Sequence, residues 1–214
     1  MSNVYAVGLF GHNKTGKTTL GEALLFSAGV IDRMGDVTAG TTTLDSDEES
    51  IRRGMTVSMG VARFETQKGA LCLIDTPGYM DFVGEQLSGL EAADLAVLNV
   101  SADSGIEIGT EKMWELIRRR KIPTMLFLNK LDLLEDGSFR KLWSECETFF
   151  DAKMVLVNRP EMAGGSLSGV VPVLENPDAA GDQYAGIARA SLDSLAELDD
   201  AVMEKYLDGQ QLTA

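Results

Sequence analysis

The apolar positions change period several times along this chain. Val4 to Phe10 is a short, continuous apolar run of the kind a fully buried strand presents. A Gly-rich break follows, and then a helical period from about Lys17 to Ala28. Residues 29 to 56 sustain no period and are rich in Gly, Thr and Asp, which predicts a long loop. Val57 to Phe64 alternates as a half-buried strand does, with Val57, Met59, Val61 and Arg63 on one face. Lys68-Gly69 then reads as a turn into a second strand, Ala70 to Ile74, so the two are expected to pair as a hairpin. Beyond lie a helix around Phe82 to Ala92, a strand Leu95 to Val100, a helix Glu107 to Lys121 and a strand Pro123 to Leu128. Ser138 to Phe150 is helical in period, with Phe139, Leu142, Trp143, Cys146 and Phe149 on one side.

Strand–helix alternation of this kind predicts an α/β fold: a mostly parallel sheet with helices on both faces. Ligands in such folds sit at the carboxyl ends of the strands, so the loops after Phe10, Ile74 and Leu128 carry the candidate chemistry. After residue 150 the character changes. Met154 to Val157 and Val170 to Leu174 are short strand candidates around a Gly/Ser loop, and Tyr184 to Leu207 reads as one long acidic helix.

The first of the three loops, Gly11-His12-Asn13-Lys14-Thr15-Gly16-Lys17-Thr18, fits the pattern G-x-x-x-x-G-K-[ST] between a strand and a helix. Its glycines let backbone N–H groups turn inward around phosphates, the helix N-terminus adds positive potential, and Lys17 neutralises β/γ oxygens. The Thr18 hydroxyl would hold Mg²⁺. This loop points to a nucleoside triphosphate and is silent about the base. In the second, Ile74-Asp75-Thr76-Pro77-Gly78, Asp75 ends a strand and would hold Mg²⁺ through a water. The Gly78 N–H would meet the γ-phosphate, where a side chain would obstruct the approach. Thr56, late in the long loop, is the candidate for a second hydroxyl on Mg²⁺. Segments ordered by a γ-phosphate and released on its loss make a switch. In the third, Asn129-Lys130-Leu131-Asp132, the carboxylate of Asp132 suits the paired donors of guanine, N1–H and the exocyclic amine, which adenine lacks. Lys130 would lay its stem over the purine and Asn129 would tie this loop to the phosphate loop, so the three loops together select GTP over ATP.

Composition narrows the remaining choices. The 33 acidic residues against 19 basic ones leave a net charge of −14, which disfavours direct nucleic-acid binding by this chain. No apolar run approaches the 18 residues of a membrane span, and no charged segment precedes the first apolar stretch as in a signal peptide. Two cysteines, Cys72 and Cys146, and a single histidine exclude a disulfide framework or a Cys/His zinc site, and read as reduced thiols of a cytoplasmic protein. Arg118 to Lys121 reads as a solvated last helical turn that complements the helix dipole.

The stretches between the motifs carry a further signal. GHNKTGKTTLGEALLFSAGVIDRMGDV, GTTTLDSDEESIRRGMTVS, DTPGYMDFVGE with GLEAADLAVLNVSADSGIEIGTEKMWE, and IPTMLFLNKLD resemble the nucleotide-binding domain of the translational GTPases, most closely the elongation factor G type. The resemblance is dense to residue 132 and patchy beyond, where AELDDAVMEKYLDG resembles a helix of an insertion within that domain. It implies a P-loop GTPase fold with residues 1–150 as the GTP-binding core and 151–214 as part of the insertion. It also implies a later strand with a guanine-contacting Ser-Ala-type loop and a final helix. The chain ends at Ala214 before these, so an amino-terminal fragment with an exposed sheet edge is expected.

By the same resemblance the site is a GTP/GDP site with Mg²⁺ as cofactor, slow in hydrolysis until the ribosome, the partner of the full-length protein, activates it. The nucleotide-binding candidates are Gly11, Asn13, Lys14, Thr15, Gly16, Lys17, Thr18, Thr19, Asn129, Lys130 and Asp132. The metal candidates are Thr18, Thr56 and Asp75, and the catalytic candidates are Lys17, Gly78 and Tyr79. Two positions depart from the family pattern. Tyr79 stands where a histidine usually follows DTPG; it either orients the attacking water or packs against the switch loop. Lys14 stands where the phosphate loop usually has aspartate; it either reaches into solvent or adds positive charge near the bridging oxygens. His12 is read as a loop residue without chemistry. A GTP/GDP-binding module with little hydrolysis is the alternative function.

Overall fold

A computed structural model describes residues 4–66, 69–135, 137–174, 176–197 and 204. The chain divides into two compact units, Met1–Lys130 and Leu131–Ala214.

The first unit holds a five-stranded sheet in the order β2-β3-β1-β4-β5. Its strands are β1 (Val4–Gly11), β2 (Gly60–Thr66), β3 (Gly69–Asp75), β4 (Leu95–Ser101) and β5 (Thr124–Asn129). β3, β1, β4 and β5 run parallel, and β2 pairs antiparallel with β3 as a hairpin. The register aligns Leu9 with Asp75, Gly11 with Asn99 and Ser101 with Asn129, so the loops after β1, β3 and β5 leave the sheet along one edge of its strand ends. Helices α1 (Lys17–Ser27), α3 (Val83–Ala92) and α4 (Ile108–Arg120) follow β1, β3 and β4 in turn. Leu9 packs with Leu25 of α1 in a core completed by Leu44, Phe64, Leu73 and Val97. Gly8, of opposite parity, faces Ala93 at the end of α3: a Cβ there would lie 3.3 Å from that of Ala93. The sheet is therefore covered on both faces. Arg119 pairs with Glu115 and Arg120 with Glu91 at the end of α4, which accounts for two of the basic residues there as surface ion pairs.

The long loop contains an element its lack of apolar period did not reveal, the helix α2 (Glu48–Arg53). Polar signals specify it instead: Asp47 Oδ1 accepts from the N–H groups of Glu49 (2.8 Å) and Ser50 (3.2 Å), Glu48 and Glu49 occupy the first turn, and Arg52 and Arg53 the last. β2 starts at Gly60, later than Val57, and its inward residues are Ala62 and Phe64. The face of Val61 and Arg63 turns outward, with Val61 57% exposed.

In the second unit α5 (Ser138–Phe150) packs Phe139 edge-on against Tyr184 at 5.6 Å. That aromatic contact joins α5 to the residues after it, so the compact units part ahead of residue 150. Phe150 is buried and Phe149 only partly so. The antiparallel ribbon is β6 (Asn158–Ala163) with β7 (Ser166–Pro172), and Met154 to Val157 is not a strand. Gly164 and Gly165, at φ 60° and 81°, supply the two left-handed residues of a tight hairpin turn, so both strands run up to that turn: β6 begins later, and β7 earlier, than the apolar residues suggested. α6 spans Ala185–Ala196; the rest of the expected long helix, apart from Glu204, falls beyond Glu197 and outside the described residues, as does Lys68 of the expected turn. Among the described residues no helix is long and apolar enough to cross a membrane.

Candidate nucleotide site

The turn between β1 and α1 is held open by glycine. Gly11 sits at φ 133°, where a Cβ would lie 2.4 Å from the Asn99 carbonyl oxygen. Gly16, at φ 87°, caps α1 without any side-chain acceptor, and a Cβ on it would lie 2.3 Å from Asn129 Nδ2. The first turn of α1 thus keeps its N–H groups available for an anion. Lys17 is buried and curls back over the turn, donating to the carbonyls of Gly11 (3.1 Å) and His12 (2.8 Å). Burial pulls its ammonium down to about 8, against the opposing pull of Asp75 and Glu107. Thr15 is buried with its hydroxyl on the His12 carbonyl (3.0 Å), whereas Lys14, at φ 62°, and Thr19 on α1 are exposed. Gly78 comes against the same turn: a Cβ on it would lie 2.6 Å from Lys17 Nζ and 2.7 Å from Asn13 Cα.

Behind Lys17 the oxygen donors converge. Thr18 Oγ1 donates to Asp75 Oδ2 at 2.6 Å and lies 3.3 Å from Thr56 Oγ1, which in turn donates to Asp45 Oδ2 at 2.8 Å. Asp75 is fully buried, and among the described residues its Oδ1 has no hydrogen-bond partner. Burial pushes its carboxyl up to about 6; Thr18 and Lys17 pull it down, while Asp45 and Glu22 add to the rise. A buried carboxylate oxygen without a partner, beside two hydroxyls and a second carboxylate, is an all-oxygen donor set suited to a small hard cation such as Mg²⁺. Thr18, Thr56 and Asp75 would hold it, with Asp45 behind Thr56.

At the end of β5, Asn129 Nδ2 donates to the Thr15 carbonyl at 2.9 Å, tying the third loop to the first. Its Oδ1 accepts from the N–H of Lys130, whose backbone is left-handed at φ 58°. Asp132 lies in a short 3₁₀ turn, Leu131–Leu133, with its side chain exposed.

Comparison with known proteins decides the lineage of this arrangement. Residues 2–207 match the family described as the elongation factor Tu GTP binding domain. The chain belongs to that family. It is a translational GTPase domain of the kind found in elongation-factor-G-like and TetM-like factors. It is 30% identical to an elongation factor G-like protein of Thermotoga maritima over 99% of this chain and 32% of that protein. It is 35% identical to an oxytetracycline resistance protein of Streptomyces rimosus, over 98% of this chain and 31% of that one. A crystal structure of a Thermus thermophilus protein superimposes with a TM-score of 0.85 at 34% identity, covering 98% of this chain and 34% of that chain. The domain thus spans about a third of the length of the relatives it matches.

In this translational GTPase domain Tyr79 is half-buried and extended, and opens the 3₁₀ turn Met80–Phe82. Buried Gln86 of α3 donates to the carbonyls of Pro77 (2.7 Å) and Tyr79 (3.5 Å), which fixes the segment carrying Gly78. His12 places Nε2 3.4 Å from Glu107 Oε1 at the start of α4. Gln86 and Asp45 are the residues around the site that sequence reasoning missed. Only Asp45 left a trace there, as an acid ahead of Thr56 in a loop already under suspicion.

Proposed function

We propose that the domain binds GTP and GDP with Mg²⁺, hydrolyses GTP, and serves as the switch of a cytoplasmic, elongation-factor-G-like translation factor that acts with the ribosome. The observation that carries this reading is the meeting of Thr18, Thr56 and Asp75 beside Lys17, because one of the three comes from each of three separate segments. When bound, Mg²⁺ neutralises charge on the β- and γ-phosphate oxygens. The chain's own residues do the rest. Lys17 exchanges the carbonyls of Gly11 and His12 for phosphate oxygens, and the N–H groups from Asn13 to Thr19 surround the phosphates, with Lys14 alongside. Thr18 and Thr56 offer hydroxyl oxygens to the cation, and Asp75 acts through a water. Gly78 gives its N–H to the γ-phosphate, and Tyr79 orients the attacking water by one hydrogen bond. Asp132 reads guanine, Lys130 covers the purine, and Asn129 keeps their loop in register.

The test is a competition titration of GTP, GDP and ATP with Mg²⁺, followed by turnover of the full-length factor with and without ribosomes. Guanine nucleotides are expected to outbind ATP by more than tenfold, and ribosomes to raise turnover. Equal binding of GTP and ATP overturns the base assignment. GTP binding without turnover in either condition leaves a binding module in place of an enzyme.

A further inference from the structure

Glu22 lies one helical turn beyond Thr18 on α1, on the same side of that helix, and its side chain is fully buried. No motif includes it. Its Oε1 accepts from the backbone N–H groups of Thr43 (2.6 Å) and Leu44 (3.1 Å), and its Oε2 from that of Gly35 (2.9 Å). These are charge-assisted bonds, the stronger class, and they are what makes burial of this carboxylate tolerable. All three donors belong to the stretch between α1 and α2, outside any sheet. The two limbs of that stretch touch where Glu22 bridges them: a Cβ on Gly35 would lie 2.4 Å from Thr42 Cα and 2.5 Å from the Thr41 carbonyl. Leu44 enters the core beside Gly21, whose added Cβ would lie 2.3 Å from Leu44 Cδ1. The next residue is Asp45, which accepts the proton of Thr56.

We infer that Glu22 is a positioning residue, a two-pronged acceptor on the phosphate-loop helix that sets Gly35 to Asp45 against α1 and so brings Asp45 and Thr56 to Thr18. The inference rests on the proposed GTP/Mg²⁺ function, and it assigns Glu22 no contact with nucleotide or cation. The carboxylate is required by the donor count. An amide of the same shape keeps one acceptor oxygen and turns an NH₂ group toward a backbone N–H, so Gln retains one prong and opposes the other.

The test combines amide hydrogen exchange with nucleotide binding. In the unmodified chain the amides of Gly35, Thr43 and Leu44 are expected to exchange at least a hundredfold more slowly than unprotected amides; fast exchange there overturns the inference, whatever any variant does. In Glu22→Gln this protection should fall at least tenfold while the amides of β1 keep theirs. The Mg²⁺ concentration giving half-maximal GTP retention should then rise about tenfold, with GDP affinity in the absence of Mg²⁺ within twofold of the unmodified chain. A Mg²⁺ requirement unchanged despite exposed loop amides overturns the positioning role. Failure of the unmodified chain to bind GTP at all would count against the proposed function, while the exchange rates would still decide the clamp.

Discussion

The hydroxyl oxygens of Thr18 and Thr56 lie 3.3 Å apart, within hydrogen-bond reach of one another. Each also reaches a carboxylate, Thr18 that of Asp75 and Thr56 that of Asp45, so two hydroxyls and two carboxylates converge on one small volume. A cation entering there would meet oxygen donors from three separate segments.

Removing one of the two should therefore be selective. Thr56 sits past the long loop, away from the phosphate turn itself, so Thr56→Ala is expected to lower GTP affinity in Mg²⁺ about tenfold, the loss of about 1.4 kcal/mol, and GDP affinity far less. Lys17→Ala and Thr18→Ala, which alter the turn, should weaken triphosphate binding sharply, and Asp75→Ala should do so mainly when Mg²⁺ is present. Titrations with and without Mg²⁺ check this; identical affinities in all four variants would reduce the turn to a structural loop.

Asp75 makes a prediction about stability with no nucleotide present. Its folded carboxyl, raised from 3.8 to about 6 by burial, holds a proton that the unfolded chain has already lost. Its contribution is fully present below about pH 4 and is lost as pH rises through 6. Asp75→Asn, which keeps the shape without the charge, should accordingly stabilise the nucleotide-free chain at pH 7 by on the order of 2 kcal/mol relative to the unmodified one. The gain should shrink toward zero below pH 4. Urea unfolding of both proteins between pH 4 and 8 measures it, and a gain that does not change with pH removes Asp75 as its source.

Tyr79 separates hydrolysis from binding. A phenol hydroxyl gives or accepts a hydrogen bond but does not become a cation as imidazole does, so it orients water without bringing positive charge to the transition state. Tyr79→Phe should change the slow turnover of the isolated domain little, but cost the ribosome-stimulated factor on the order of a hundredfold. Tyr79→His should retain or raise the stimulated rate. Turnover of the three proteins with ribosomes is the measurement, and equal rates for Tyr and Phe would confine Tyr79 to packing.

For the base, Asp132→Asn should exchange guanine preference for xanthine, since the amide presents a donor where the carboxylate accepts. Competition between GTP and XTP reads the exchange directly. Unaltered GTP preference would move base recognition elsewhere in the chain.

Much of the first unit was legible because local and long-range demands agree there. The apolar run of β1, the glycines of the turn and the period of α1 all describe the same strand–loop–helix; in the second unit only α5 is as plain, following its apolar side from Ser138 to Phe150. Where the signals were local but polar, as in the Asp47 cap of α2, a reading based on hydrophobic period passed over them. β2 shows a different limit: alternation separates Val61 from Phe64, but only the partner strand decides which turns inward, and Phe64, opposite Leu71, is the one that does. Glu22 was hidden for a third reason. In the run Gly21-Glu22-Ala23-Leu24 it reads as an ordinary polar helix position, and its burial is created by residues more than ten places away that fold back onto it.

The notch at Gly21 has a thermal consequence. Leu44 fills it, and burying a leucine contributes roughly 2 kcal/mol, a sizeable share of what holds a loop that joins no sheet. Hydrophobic burial weakens on cooling. The order of this segment is therefore set partly by temperature, and chilling should loosen the loop at its apolar peg before the sheet beneath it changes.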